Sequence, residues 1–168
     1  ENYLSWLPLL DELLIYPDAE EESLRAIHKA DLLFHLDHNQ PSRLRYTPLI
    51  EATEQSKAPH ILIDHHLDPD PTFTLNFSYP EASATCELIH ALTLSLGWEQ
   101  HITSEVATLL LTGIITDTGR FMYSHLSPEL FVTTSDLLAR GADYLHIIDR
   151  LTYHNPEIQI RLQGYVLD

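Results

Sequence analysis

The chain has 168 residues, 44% of them hydrophobic, and a formal charge of −16 from 25 acidic and 9 basic side chains. This length favours one domain with one buried core, and the acidic balance argues against long duplex nucleic acid as a partner, because phosphate binding needs a basic surface. The single cysteine, Cys86, excludes an internal disulfide and a multi-cysteine zinc site. Any metal ion must therefore be held by histidine and carboxylate groups.

The apolar runs are short. One of the longest, Val106 to Leu111, is far below the roughly 20 residues that span a bilayer, and no segment resembles a signal peptide. We therefore predict a cytoplasmic protein without a membrane partner. The sequence is compatible with an oligomer.

The first half of the chain alternates helical and extended patterns. The charged segment 20–29 predicts a helix, and ADLLFHLDHN, residues 30–39, predicts a buried strand that ends at Asp37. A helix is expected over 48–55 and a strand over HILID, residues 60–64. The alternating segment TFTLNFS, residues 72–78, predicts a third short strand at or near a sheet edge.

The second half is predicted to be helical. Pro80, Glu81 and Ser83 are expected to start a helix that Gly97 ends. Further helices are predicted over 103–117, from Ser127-Pro128-Glu129 to Gly141, over 143–151 and over 156–167.

Strands separated by helices predict an α/β fold with a parallel sheet and helices on both of its faces. In such sheets, ligands bind beyond the carboxyl ends of the strands. Asp37 and the triplet Asp64-His65-His66 both lie at that end of their predicted strands. We therefore expect the two clusters to converge on one crevice.

Five residues form a ligand set for hard divalent cations, because Mn²⁺ and Mg²⁺ prefer carboxylates and Mn²⁺ also accepts imidazole. They are Asp37, Asp64, His65, His66 and Asp117. Two ions about 3.5–4 Å apart would activate water and stabilise charge on a phosphoryl group. The set predicts phosphoester hydrolysis.

Four residues of this set also have a purely structural interpretation. Asp37 is compatible with a turn, Asp117 with the end of a helix, and His65-His66 with a chance pair in a chain of 11 histidines. Asp68 and Asp70 are interpreted as turn residues beside prolines. The other histidines are interpreted as surface or core residues, and only His38, next to Asp37, stays open.

Three motifs carry a family resemblance. IDHH (63–66), LDHN (36–39) and GIITDTGRF (113–121) resemble, in this order and spacing, the DHH phosphoesterases. Within that family they are most similar to the NrnA-type group, bacterial oligoribonucleases that also act as 3′-phosphoadenosine 5′-phosphate phosphatases. ASAT (82–85) and RFMYS (120–124) add to the resemblance. It covers essentially the whole chain and implies a Rossmann-like DHH domain.

The resemblance also implies roles for individual residues. Asp37 would bridge two Mn²⁺ ions, with Mg²⁺ as an alternative, and His65 and Asp117 would be further metal ligands. Asp64 and His66 would be the catalytic residues, Asp64 by orienting its neighbours and His66 by facing the scissile phosphate. The residues expected to line the substrate are Arg120, Ser83 and Thr85.

Two family features have no match in the chain. The His-x-x-Pro-Asp-x-Asp segment that supplies further ligands is absent, since Pro17-Asp18 lacks the preceding His and the second Asp. The Gly-Gly-Gly-His-like motif of the second domain is absent as well. We therefore interpret residues 1–168 as a single DHH catalytic domain without its N-terminal metal-binding segment and its C-terminal substrate-binding domain. This chain alone could be inactive.

Three functional hypotheses remain open. The first is a metal-dependent phosphoesterase for short oligoribonucleotides or 3′-phosphoadenosine 5′-phosphate. The second is another DHH hydrolase, acting on cyclic or linear dinucleotides or on pyrophosphate. The third is a metal-free nucleotide-binding or scaffold module. An NAD-type enzyme is disfavoured because no G-x-G-x-x-G follows a strand.

Overall fold

The computed structural model describes residues 4–123 and 126–153. In this part of the chain the strands are β1 (Leu33–Leu36), β2 (His60–Asp64) and β3 (Leu75–Ser78). The helices are α1 (Glu20–Lys29), α2 (Thr47–Gln55), α3 (Thr85–Ser95), α4 (Ser104–Asp117), α5 (Pro128–Ala139) and α6 (Tyr144–Tyr153). None of these helices is long and apolar enough to cross a bilayer.

The three strands form one parallel sheet in the order β1-β2-β3. Leu36 of β1 lies opposite Ile63 of β2, and Asp64 lies opposite Ser78 of β3. The predicted α/β class and the edge position of the third strand are confirmed. The third strand is shorter than predicted, because a turn at residues 71–72 and a bend at residue 74 precede it.

Helices lie on both faces of the sheet. Helix α3 packs on the face that carries Ile63 and Phe77, while α1 and α2 lie on the side of Leu33 and His35. The prediction that β1 is a buried strand is wrong, because only His35 of its four residues is buried. Phe34 and Leu36 are about half exposed, since they point into an apolar groove of about 460 Å³ that α3 covers only on one side.

Most helix bounds agree with the prediction to within a few residues, and α3 differs most. It begins at Thr85, because Ala84 has an extended backbone with φ −158° and residues 80–83 form a turn. Glu87 stabilises this turn by accepting a hydrogen bond from the backbone N–H of Ser83 at 3.1 Å. Gly97 ends the helix with φ 69°, as predicted. The predicted helix over 156–167 lies outside the described residues.

Helix α4 is the centre of the core. The residues that it buries lie around most of its circumference: Ala107, Thr108, Leu110, Leu111, Thr112, Ile114 and Ile115. Gly113 allows α3 to pack closely, because a Cβ atom at this position would overlap the Sγ atom of Cys86. This contact fixes the end of α4, where Asp117 lies, relative to the start of α3.

The Gly113–Cys86 contact can be tested by a double-mutant cycle. Gly113→Ala should lower the free energy of unfolding by about 1–3 kcal/mol, the usual cost of overpacking. In a Cys86→Ala background the loss should be clearly smaller, since the sulfur is gone. Urea unfolding of the four proteins measures both values, and equal losses in the two backgrounds would contradict the close contact.

His35 is a buried histidine whose hydrogen bonds are satisfied, as expected for a core position. Its Nδ1 lies 3.0 Å from His38 Nε2, and its Nε2 lies 3.0 Å from His60 Nδ1. His38 Nδ1 must donate to the carbonyl of Leu36, which can only accept. When all three rings are neutral, His38 Nε2 can then only accept, so His35 donates to it from Nδ1. The Nε2 of His35 is therefore an acceptor, and His60 donates to it from Nδ1. His38, which the sequence left open, belongs to this cluster.

Burial, together with His38 and His60, lowers the pKa of His35 from 6.5 to about 4. The folded protein therefore binds fewer protons here than the unfolded chain, so stability is full above pH 6.5 and is lost as the pH falls towards 4. At pH 5 the loss from this residue should be roughly 2 kcal/mol.

The variant His35→Phe should lack this part of the pH dependence. Urea unfolding between pH 7.5 and pH 5, in chelator, measures the difference between the variant and the wild type. The exposed His101 supplies the control His101→Phe, whose profile should parallel that of the wild type. Parallel profiles for His35→Phe as well would show that His35 is not the group responsible.

Candidate metal centre

The candidate site lies where β1 and β2 end. Asp37 follows β1 directly, and its backbone N–H donates to the carbonyl of Ile63 in β2 at 3.2 Å. Asp64 is the last residue of β2, and His65 and His66 follow it. The two clusters therefore meet at one edge of the parallel sheet, as the sequence predicted.

Asp37 has a left-handed backbone with φ 62°. Besides glycine, Asp and Asn are the residues that most readily adopt this conformation. The turn directs the carboxylate towards the start of α3, where the Thr85 hydroxyl donates to Oδ1 at 2.8 Å. The side chain is 52% exposed, so its carboxylate is accessible to a ligand.

His65 has an orientation that the surrounding backbone fixes. Its Nδ1 lies 3.2 Å from the carbonyl oxygen of Ala82, and because a carbonyl can only accept, Nδ1 carries a proton. Its Nε2 lies 3.4 Å from Asp37 Oδ1 and 3.8 Å from Asp117 Oδ2. A nitrogen lone pair repels carboxylate oxygens that face it, so this arrangement is favourable only when a proton or a metal ion lies between the nitrogen and the oxygens.

Asp117, the last residue of α4, brings the second carboxylate to the site. Burial and the nearby Asp37 raise its pKa. Burial and the same two carboxylates raise the pKa of the Cys86 thiol to about 12, so Cys86 stays neutral. The two carboxylates give this site a negative potential of the kind that a divalent cation neutralises.

Asp64 is fully buried below the two histidines. Its Oδ1 accepts hydrogen bonds from the backbone N–H of His65 at 2.8 Å and from His66 Nδ1 at 2.7 Å. Its Oδ2 has no hydrogen-bond partner in the part of the chain that the structure describes. The bond to Asp64 fixes the His66 ring and leaves Nε2 as the nitrogen for another contact.

Together these residues fit a divalent cation. Among the described residues, Asp37, His65 and His66 form a group whose potential ligand atoms all lie within 4.8 Å of one another, and Asp117 adjoins it. A mixture of carboxylate and imidazole donors suits Mn²⁺ and related ions. The predicted ligands Asp37, His65 and Asp117 are thus brought together, while their role as ligands stays a prediction.

The three residues predicted to line the substrate lie in different surroundings. Arg120 is exposed, has a left-handed backbone with φ 63°, and donates from its guanidinium to Thr152 on α6 at 3.2 Å. Ser83 and Thr85 are both buried. Their contact with a substrate therefore stays a prediction, and for Thr85 the observed partner is Asp37.

Asn39 is a structural residue of the site to which the sequence analysis assigned no role. Its side-chain amide donates to the backbone carbonyls of Leu67 and Asp68, at 2.5 and 3.3 Å, and its backbone carbonyl accepts from the backbone N–H of Asp70 at 2.8 Å. It therefore ties the loop after β1 to the loop after β2. The place of Asn39 in the LDHN motif is the signal that could have identified this residue from the sequence.

Asp68 and Asp70 lie in the predicted turn. Asp70 accepts hydrogen bonds from the backbone N–H and the hydroxyl of Thr72.

The ligand assignment can be tested with two variants of neighbouring residues. His65→Ala should weaken Mn²⁺ binding by at least about 100-fold, since even outer-sphere changes cost 10–100-fold. Asp68→Asn, which removes an exposed charge from the same loop and suits the left-handed backbone there, with φ 56°, should stay within about twofold of the wild type. Titration calorimetry with the full natural chain measures both affinities, and equal effects would show that the assignment is wrong.

Comparison with known proteins gives several relatives. The chain is 34% identical over 167 residues to the bifunctional oligoribonuclease and PAP phosphatase NrnA of Thermus thermophilus, an alignment that covers 99% of this chain and 46% of that protein. It is 32% identical over 108 residues, 64% of this chain and 34% of the relative, to a probable enzyme of the same name from Streptococcus mutans. The chain spans about half the length, or less, of these relatives.

A solved structure and a family model agree with these matches. The crystal structure of an exopolyphosphatase-related protein from Bacteroides fragilis superposes with a TM-score of 0.93 at 33% identity, over 99% of this chain and 48% of that one. The family model described as the DHH family, N-terminal domain, matches residues 3–114. The chain therefore belongs to the DHH family.

Proposed function

We propose that this chain is the metal-binding, catalytic part of a phosphoesterase that hydrolyses short oligoribonucleotides and 3′-phosphoadenosine 5′-phosphate. The observation that carries the proposal is that the carboxylates of Asp37 and Asp117, from a loop and a helix, both lie within 4 Å of His65 Nε2. The relatives named for these two activities support the choice of substrate. Because the chain spans about half their length, the activity of the whole protein belongs to the proposal.

The metal ions would be Mn²⁺, with Mg²⁺ as the alternative, held by Asp37, His65 and Asp117. When bound, such ions lower the pKa of water and offset the negative charge on the phosphoryl group. Carboxylate oxygens supply the hard ligands that both ions prefer, and the imidazole favours Mn²⁺.

His66 would bind the scissile phosphate through Nε2. Asp64 accepts a hydrogen bond from His66 Nδ1, so the imidazole is held in one orientation, and a protonated ring would donate from Nε2 to a phosphoryl oxygen. The burial of Asp64 strengthens this hold, because water does not compete for its Oδ1. The exposed Arg120 would supply a second cationic donor to the substrate.

The acidic composition is compatible with such substrates. A short oligonucleotide or a mononucleotide carries few phosphates, so metal ions and a few local cations suffice to bind it. The chain's net charge of −16 opposes the many phosphate contacts of a long duplex. The proposed partners are therefore short RNA and small nucleotides. The proposed location of the protein is the cytoplasm.

A second candidate is hydrolysis of a phosphoanhydride, as in pyrophosphate or polyphosphate. The name of the Bacteroides fragilis protein, exopolyphosphatase-related, favours it. The same metal ligands would serve both reactions, since each displaces an oxygen at phosphorus. The metal-free scaffold hypothesis is disfavoured by the close grouping of Asp37, His65 and His66.

Hydrolysis assays separate these candidates. We expect the full natural chain, with Mn²⁺, to release mononucleotides from a 5′-phosphorylated diadenylate and phosphate from 3′-phosphoadenosine 5′-phosphate. Chelator should abolish both activities, and Asp117→Ala should lower them more than about 100-fold because a ligand is lost. Asp68→Asn, which keeps the left-handed turn at that position, is the matched control and should stay near the wild type.

Two outcomes would change the assignment. Release of phosphate from polyphosphate, with neither nucleotide substrate cleaved, would favour the second candidate. Nucleotide hydrolysis that is unchanged by chelator and by Asp117→Ala would contradict the metal-dependent mechanism.

A further inference from the structure

We propose that Thr85 is a positioning residue of the metal centre, which acts by holding the carboxylate of Asp37 and does not bind the substrate. The inference rests on the proposed function, because it assigns Thr85 a role towards a proposed metal ligand. It differs from the role that the family resemblance implied for Thr85.

Thr85 is the first residue of α3 and is only 4% exposed. Its hydroxyl donates to Asp37 Oδ1 at 2.8 Å, a contact between residues 48 positions apart in the chain. A hydroxyl has one proton to donate, so the bond to Asp37 uses its donor capacity. A buried hydroxyl bonded in this way is poorly placed to donate to a substrate phosphate.

Asp37 needs such a partner. Its side chain is half exposed and extends from a left-handed turn, so without a donor the carboxylate would be free to rotate towards water. The oxygen that Thr85 holds, Oδ1, is the one that faces His65 Nε2 at 3.4 Å. A carboxylate oxygen has two lone pairs, so the bond to Thr85 leaves one of them for a cation.

Repulsion between carboxylates makes the restraint more important. Asp37 Oδ1 and Asp117 Oδ2 lie 3.4 and 3.8 Å from the same nitrogen, His65 Nε2, so the two negative groups are close enough to repel each other. Before a cation binds, this repulsion favours movement of Asp37 away from the site. The Thr85 hydroxyl opposes that movement and so keeps the two carboxylates at a separation that a cation can bridge.

The position of Thr85 is itself well fixed. The next residue, Cys86, contacts Gly113 of α4, and α4 ends at Asp117. Thr85 is therefore connected through one helix contact to the helix that carries the second carboxylate. The hydroxyl sets the position of Asp37 relative to Asp117 as well as to His65.

Two substitutions separate the hydroxyl from the rest of the side chain. Thr85→Val keeps the shape and removes the donor, whereas Thr85→Ser keeps the donor and removes a methyl group. We expect Thr85→Val to weaken Mn²⁺ binding by about 10–100-fold, the usual effect of losing an outer-sphere partner. Thr85→Ser should stay within about threefold of the wild type. Titration calorimetry with the full natural chain measures all three proteins.

Steady-state kinetics on the diadenylate adds an independent readout. At saturating Mn²⁺, Thr85→Val should lower kcat and leave KM within about twofold, because the residue acts on the metal ligand. A raised KM with an unchanged kcat would instead assign Thr85 to substrate binding and overturn the proposal. If Thr85→Val does not fold, Thr85→Ala removes the same hydroxyl and is compared with Thr85→Ser.

The remaining outcomes of the calorimetry also test the proposed role of Thr85. Wild-type Mn²⁺ affinity in Thr85→Val overturns the proposal, and equal losses in Thr85→Val and Thr85→Ser would show a packing role only. In both cases the proposed function stands if the wild type binds Mn²⁺ and cleaves the diadenylate. A wild type that binds no Mn²⁺ overturns this proposal together with the proposed metal centre.

Discussion

The parallel pairing of β1 with β2 is the constraint on which the site depends. Leu36 lies opposite Ile63, and the N–H of Asp37 extends the pairing by one more hydrogen bond to Ile63. Because parallel strands run in the same direction, the polar residues that follow both strands emerge at the same edge. An antiparallel pair would have separated Asp37 from the histidines by the length of a strand.

Helix α3 links this edge to the rest of the molecule. Its first residue bonds to Asp37, its second contacts Gly113 of α4, and α4 carries Asp117 to the site. The separation of the two carboxylates therefore depends on the packing of one helix on another as well as on the strand pairing. Such a distance is more rigid than one set by loops, because a close-packed interior resists compression.

The sequence predicted those parts of the fold and site that depend on local pattern. Apolar runs followed by polar clusters located the ends of β1 and β2, and Ser127 and Gly97 marked helix ends through their usual capping roles. The convergence of Asp37 with His65 followed from one rule about parallel sheets. These features need no knowledge of distant neighbours.

Other features depend on contacts between distant parts of the chain and could not be predicted in this way. The hydroxyl of Thr85 meets Asp37 across 48 positions, and the amide of Asn39 meets Leu67 across 28. The exposure of Phe34 and Leu36 depends on how far α3 covers the sheet, which their apolar character does not reveal.

The left-handed backbone at Asp37 limits which residues evolution can place there. The proposed metal centre needs a carboxylate at this position, and the turn with φ 62° favours Gly, Asn or Asp. Asp meets both requirements, while Asn keeps the turn and removes the charge. Under the proposed role of Asp37, a relative that had lost metal binding but kept this fold would be expected to carry Asn or Gly at this position. By the same reasoning, Asp37→Asn removes the charge with little effect on the backbone, whereas Asp37→Ala would alter both.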